Sequence, residues 1–235
     1  MPMIPWLTHP SQFPLPDHAL NEPNGLIAAG GELNPLWLLA AYRRGIFPWY
    51  MPGEPILWWN PDPRMVLFPH ELHVGRSLAK VMRNRPYTVR FDTVFPEVMQ
   101  ACAEPRTDAI GTWISSEIID GYCALHREGY AHSIETWIDG ELAGGLYGVA
   151  LGGVFYGESM FARRPDASKI AFAHLVLWLQ GNGFSLIDCQ MQTEHLARFG
   201  GREIPRHEFC DRLAQLVAQP RVPALWHHEW VNLGG

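Results

Sequence analysis

The sequence predicts an α+β fold, with a small N-terminal domain over residues 1–62 and a domain built on a mixed, largely antiparallel sheet over residues 63–235. Three observations predict it. Pro, Gly and Trp crowd the chain up to Pro61-Asp62-Pro63, after which regular periodic segments begin. Two turn signals, Asp139-Gly140 and Gly152-Gly153, separate three successive apolar strands. A helical stretch then crosses over to a further strand at Leu186–Gln190, which makes the sheet mixed.

Each element has its own cause. In the small domain a single helix is legible, from about Pro35 to Arg44: Asn34 is a good N-cap, Pro35 suits the first turn, and Gly45 stands just past the end. Trp37, Leu38, Ala41 and Tyr42 form its apolar side. The aromatics of Gly45–Tyr50 and of Trp58-Trp59 fall on irregular backbone, where they either plug a small core or serve binding. After the boundary comes a basic helix ended by Pro86, a short strand Tyr87–Phe91, and a helix from about Thr93 to Ala103. The next helix follows Ser115-Ser116, with Ile118, Ile119, Tyr122 and Leu125 at core spacing and Gly129 as its stop. His132–Ile138, Glu141–Ala150 and Val154–Met160 form an antiparallel meander, the first turn being of type I′. The crossover helix runs from near Asp166 to about Gln180 with Phe172, Leu175, Val176 and Leu179 on one face.

Composition narrows the class. The 235 residues are 47% hydrophobic and 18% charged, a globular balance, since disorder needs fewer apolar residues and more net charge. Met1–Pro16 is proline-rich and reads as an extended strap rather than a secretion signal. No apolar run approaches the ~20 residues that span a bilayer, so a cytoplasmic protein without membrane contact is expected. Cys102, Cys123, Cys189 and Cys210 lie far apart and read as buried thiols. The histidines show no metal-hydrolase spacing; neither metal nor cofactor is expected. With a net charge of -6, any contact to nucleic acid must use a local patch. Arg76, Lys80 and Arg83 supply a candidate, falling within an arc of about 60° on one helical face. A solvated stripe is the plainer alternative.

Two polar clusters interrupt apolar strands: Glu158 in Phe155–Met160, and Asp188 with Gln190 in Ile187–Gln190. A carboxylate inside a strand must find a partner or an open cavity, unless the strand lies at an edge. Asp188 and Gln190, two apart, are expected on the same sheet face. No Gly-x-Ser-x-Gly elbow occurs, so covalent catalysis is not indicated. The element order resembles the core of GNAT-type acetyltransferases, which use acyl-coenzyme A and hold its pyrophosphate on a Gly-rich turn before the crossover helix. Here that turn is Phe161-Ala162-Arg163-Arg164-Pro165-Asp166, without glycine. The sheet can be acetyltransferase-like while the cofactor is not. From the residues alone, acetyl transfer and a non-catalytic binding role for the aromatics and acidic groups stay open.

Six stretches carry a more specific resemblance: Glu22–Leu26, Tyr42–Trp49, Trp58–Arg64, Gly111–Ile114, Gly157–Phe161 and Leu186–Gln190. In this order they resemble the bacterial leucyl/phenylalanyl-tRNA-protein transferases over roughly Phe13 to Phe209. The resemblance implies a small N-terminal domain packed on an acetyltransferase-like one. It implies transfer of Leu or Phe, and Met less well, from aminoacyl-tRNA to proteins beginning with Arg or Lys, which marks them for degradation. It further implies Trp49, Trp113 and Tyr42 near the terminal adenosine, with Leu146, Phe155, Met160 and Ile187 lining the amino-acid side-chain pocket. Leu146 stands where the family would have Met. For catalysis we expect Asp188 to orient Gln190, the amide oxygen of Gln190 to accept from the attacking amine, and Glu158 to help hold the cationic substrate end or the ester. The basic helix would meet acceptor-stem phosphates through Arg76, Lys80 and Arg83.

Overall fold

A computed structural model describes residues 4–105, 112–219 and 226–234. The N-terminal region contains β1 (Trp6–Leu7), β2 (Leu26–Gly30), α1 (Pro35–Tyr42), β3 (Phe47–Pro48) and β4 (Leu57–Trp59). These strands form one sheet in the order β1-β2-β4-β3. The aromatics expected on irregular backbone lie partly on short strands instead, Phe47 on β3 and Trp58-Trp59 on β4. Trp58 is fully buried, donates its indole N–H to the Gly30 carbonyl at 2.8 Å and stacks with Trp37, so it is core; Trp49 stays 45% exposed. As expected, α1 is capped by Asn34, whose side chain accepts from the Trp37 amide at 3.1 Å.

The remaining elements are β5 (Arg64–Leu67), α2 (Arg76–Asn84), β6 (Tyr87–Phe91), α3 (Phe95–Ala103), α4 (Ser116–Arg127), β7 (Ala131–Ile138), β8 (Glu141–Leu151) and β9 (Val154–Ala162). After them come α5 (Ala167–Gly181), β10 (Leu186–Gln190), α6 (Glu194–Ala197), β11 (Arg202–Ile204), α7 (Arg206–Val217) and β12 (Glu229–Asn232). Their strands make an eight-stranded sheet, β11-β5-β10-β9-β8-β7-β6-β12. Within it β9 and β10 are parallel, joined by the crossover α5, and the other pairs are antiparallel. The Asp139-Gly140 turn has φ of 54° and 78°, the two left-handed residues a type I′ hairpin needs.

One sheet face packs on α1, α3, α4 and α7 through Tyr42, Val66, Tyr122, Tyr147, Tyr156 and Phe209, and this core runs on without a break into Trp58 and Trp37 of the N-terminal region. The other face packs on α2 and α5 through Leu146, Phe155, Ile187, Phe172 and Leu175. Side chains of this size each contribute about 1.5–3 kcal/mol when fully buried. Among the described residues, no helix is long and apolar enough to cross a membrane.

Candidate active site

The site arises where two strands part. Strands β9 and β10 pair only from Leu186 with Val154 to Asp188 with Tyr156. Beyond that point each strand carries a bulge. On β9 the register to β8 shifts between Tyr147–Ser159 and Gly148–Gly157, leaving Glu158 as the extra residue. A Cβ on Gly148 would collide with the Tyr156 carbonyl, so glycine permits this pinch. On β10 the register to β5 shifts between Asp188 and Gln190, and Gln190 takes φ of 61°, the left-handed region that costs a side-chain-bearing residue strain. Both functional side chains are thus aimed by irregularities that alternation along a strand cannot reveal.

Behind the gap lies a buried ion pair. Arg64 Nε and Nη2 donate to the two Asp188 carboxylate oxygens at 2.8 and 2.7 Å, with both side chains 0% exposed. The guanidinium also sits over the Phe47 and Phe209 rings at 4.8 and 4.6 Å. Asp188 Oδ1 accepts the Gln190 backbone N–H at 2.9 Å, which pins the left-handed turn. The orienting effect expected of Asp188 therefore acts on the Gln190 backbone. Its main partner is Arg64, which the sequence marks only as the last residue of the Trp58–Arg64 motif. A clue was available: a carboxylate in the middle of an apolar strand requires a cation, and Arg64 heads another apolar strand.

Glu158 is enclosed by phenols. Its Oε1 accepts from Tyr42 at 2.7 Å and from Gln190 Nε2 at 3.1 Å, and its Oε2 accepts from Tyr122 at 3.0 Å. The Tyr42 and Tyr122 hydroxyls also touch each other. Three close oxygen–oxygen contacts share two phenolic hydrogens, so a proton on Glu158 would complete the set. Burial accordingly pushes the Glu158 carboxyl up to about 7, against the opposing effect of the Tyr42 and Tyr122 hydrogen bonds; Asp188 adds to the rise and Arg64 offsets it.

A cavity of about 1080 Å³ opens from this cluster. Trp49, Trp113, Leu146, Phe155, Glu158, Met160, Ile187 and Gln190, all expected from sequence, line it together. Phe172 and Leu175, read from the sequence as helix core only, belong to its wall, as do Cys189 and Leu196. Asp188 stands behind the wall. Tyr42, expected near the terminal adenosine, is fully buried behind the cavity, its ring 4.8 Å from that of Tyr156 and its hydroxyl bound to Glu158. Gly111, at the head of the Trp113 motif, lies outside the described residues. The turn before α5 uses its backbone amides internally: those of Arg163 and Arg164 donate to the Ala143 carbonyl at 2.8 and 3.0 Å. That leaves little of the amide cradle a pyrophosphate would need.

Arg76, Lys80 and Arg83 are elsewhere, exposed on α2 and without ion pairs among the described residues. The segment leading into α2 is tied to the cavity side of the molecule. His73 N–H donates to the Phe199 carbonyl at 2.9 Å, and the Phe199 ring packs on Phe172 and His195 of the cavity wall.

The site is a cavity at the gap between two splayed strands of an α+β fold, and the proteins it matches are transferases. The chain belongs to the leucyl/phenylalanyl-tRNA protein transferase family: the model of that family matches residues 66–214, and that of its N-terminal domain matches residues 31–62. It is 61% identical to the leucyl/phenylalanyl-tRNA--protein transferase of Nitrosospira multiformis, over 98% of this chain and 100% of the relative. The proteins of the same description from Laribacter hongkongensis and Chromobacterium violaceum are 59% and 58% identical, over 98% and 97% of this chain and 99% and 98% of theirs. Among solved structures, a GCN5-related N-acetyltransferase from Kribbella flavida aligns with a TM-score of 0.37 and 16% identity, covering 74% of this chain and 61% of that one, a likeness too loose to carry an argument.

Proposed function

We propose that this chain transfers Leu or Phe, and Met less well, from aminoacyl-tRNA to the N-terminal α-amine of proteins beginning with Arg or Lys. The observation that carries this reading is one cavity in which Glu158 and Gln190 share walls with the apolar side chains of Leu146, Phe155, Met160 and Ile187 and with two tryptophans, Trp49 and Trp113. An apolar pocket suits the Leu or Phe side chain and excludes charged ones. The tryptophans suit the terminal adenine, stacking being worth about 1–3 kcal/mol per base. Residues 1–62 then act as the small N-terminal domain that contributes Trp49, and residues 63–235 as the catalytic domain.

In the reaction the acceptor nitrogen attacks the ester carbonyl, a C–N bond forms, the C–O bond to ribose breaks, and the amine proton ends on the ribose hydroxyl. The ester is already reactive and an N-terminal amine, with a reference pKa of about 7.7–8.0, is partly neutral in neutral solution, so positioning supplies much of the rate. Gln190 hydrogen-bonds the amine through its amide oxygen, which has no partner among the described residues. As an amide it aligns the nucleophile and cannot store its proton. Glu158, poised near 7, faces the cationic acceptor end and is matched to relay that proton. Arg76, Lys80 and Arg83 meet acceptor-stem phosphates.

The test mixes the purified protein with Leu-tRNA or Phe-tRNA and peptides beginning Lys, Arg or Ala, beside an acetyl-coenzyme A control, and reads peptide mass. Leu or Phe added only to the Lys and Arg peptides is expected. An acetyl adduct, or tRNA binding without any adduct, overturns the reading.

A further inference from the structure

Glu158 lines the cavity, and the two phenols bound to it stand behind it in the core. Tyr42 comes from α1 and Tyr122 from α4, and both are 0% exposed. Tyr42 donates to Oε1 at 2.7 Å and Tyr122 to Oε2 at 3.0 Å, so each carboxylate oxygen has a phenol of its own. Their rings pack against Tyr156 and Tyr147, a space that Phe would fill equally well. A hydroxyl in such a core is unfavourable unless it is paired, and here the carboxylate pairs both. The other groups that act on this carboxyl are few. Gln190 Nε2 on β10 reaches Oε1 at 3.1 Å, while Asp188 on β10 and Arg64 on β5 act in opposite directions. Tyr147 on β8 feels Glu158 at longer range. The phenols are thus the largest influence opposing burial. Burial, then the charge of Glu158, raise both phenols well above the usual range, so they keep their protons and stay donors.

We propose that Tyr42 and Tyr122 are positioning residues for the transfer: their hydroxyls keep a working share of Glu158 ionised near neutral pH, so that it attracts the cationic acceptor. This rests on the proposed reaction, in which Glu158 faces the acceptor end. A hydroxyl bonds an ionised carboxylate roughly twice as strongly as it bonds a neutral partner, so the two phenols offset part of the cost of burying the charge. One donor on each oxygen also fixes the plane of the carboxylate from behind. Neither phenol touches the substrate; both act through Glu158 alone.

Tyr42→Phe and Tyr122→Phe each keep the ring and remove one hydroxyl. For each variant, kcat/KM for an Arg-initial peptide at saturating Leu-tRNA is measured from about pH 6 to about pH 9 and divided by the wild-type value, which cancels the acceptor's own titration. The ratio is expected to be about one-tenth at the acid end and to return to near one at the alkaline end, tenfold being the size of one hydrogen bond to a charged group. Denaturation curves without tRNA supply a second measurement. Losing a donor lifts the folded Glu158 carboxyl further above its ordinary 4.5, so the stability present in acid is lost over a range that reaches higher pH than in wild type. In a Glu158→Gln background neither Tyr change should alter that profile. A ratio equally low at every pH marks a structural role and overturns the proposal, as does a ratio of one throughout. A decline of stability ending at the same pH in variant and wild type overturns it too, as does a shifted decline that persists without Glu158. Failure of the wild-type protein to transfer Leu sinks the functional reading and this proposal with it, a result seen before any variant is made; flat ratios against an active wild type sink the proposal alone.

Discussion

The proposed function assigns two regions of this molecule to the same tRNA, and they are built in opposite ways. The reaction cavity rests on charges taken out of water: Arg64 on Asp188, and Glu158 among Tyr42, Tyr122 and Gln190. The α2 stripe consists of exposed Arg76, Lys80 and Arg83, with no ion pairs among the described residues. Groups in low dielectric interact strongly, resist salt, and are costly to disturb; exposed charges are screened by salt and contribute little to folding. Under the proposed function, the molecule separates placing the ester from holding the stem. Substitutions in the two places should differ in kind as well as in size.

The largest effect is expected at Asp188. Asp188→Ala leaves Arg64 buried without its counter-charge, and breaking such a pair costs about 3–5 kcal/mol. Chemical unfolding should show that loss, and single-turnover transfer should collapse because the Gln190 N–H loses its anchor. Replacing both partners, Arg64→Met with Asp188→Leu, should recover much of the stability and none of the transfer. Recovery of both would mean the ion pair serves the fold alone.

Next comes Glu158, through pH. Its folded pKa of about 7 lies above the ordinary 4.5, so the native state holds the extra proton and stability falls as pH rises from about 4.5 to 7, then levels off. The full difference amounts to at most about 3 kcal/mol. Glu158→Gln should lose this decline, being relatively more stable than wild type at pH 8 than at pH 5 in paired denaturation curves. An identical pH profile for the two proteins would place the Glu158 proton elsewhere.

A smaller change is expected at the cavity mouth. Trp113→Ala should weaken binding of leucyl-adenosine by about 1–3 kcal/mol, one stacked base, and should also lower the unfolding midpoint, because half-buried Trp113 packs against the core. Titration calorimetry with that fragment decides it; unaltered affinity would remove the base from Trp113.

The contrast also explains what could be read from the sequence. The meander, the crossover α5 and strand β10 were legible because periodicity, Asp139-Gly140 and apolar runs are local signals. The N-terminal sheet was not, since β1 and β3 have two residues each and show no alternation. Strand β11 and helix α7 went unread as well, and so did β5, although its four residues include Arg64, the partner on which Asp188 depends. At the site, Glu158, Asp188 and Gln190 stood out as polar residues where strands should be apolar. Their grouping depends on two bulges, on the separation of β9 from β10 and on phenols from α1 and α4, which are long-range features. The bond of Tyr42 to Glu158 was hidden for the same reason: a Tyr on an apolar helix side can face a ligand or a buried carboxylate, and only the packing decides.

The α2 stripe gives the smallest effect on folding and the sharpest discrimination. Leu78 is the one residue of this helix that is fully packed into the core, while Arg76, Lys80 and Arg83 project into water. Arg76→Ala with Lys80→Ala should therefore leave the unfolding midpoint within about half a kcal/mol of wild type. Binding of full tRNA should weaken, and the slope of log affinity against log salt should flatten by about 0.7–0.9 for each phosphate contact removed. Leucyl-adenosine carries no acceptor stem, so its kinetics should not change. The asymmetry is the point of the experiment: a cavity variant harms the fragment and the full tRNA alike, a stripe variant only the latter. If the double variant keeps the wild-type salt slope, α2 is a solvated surface, and the stem must be held by other cations around the cavity, of which Lys169 and Arg163 on its wall are the nearest.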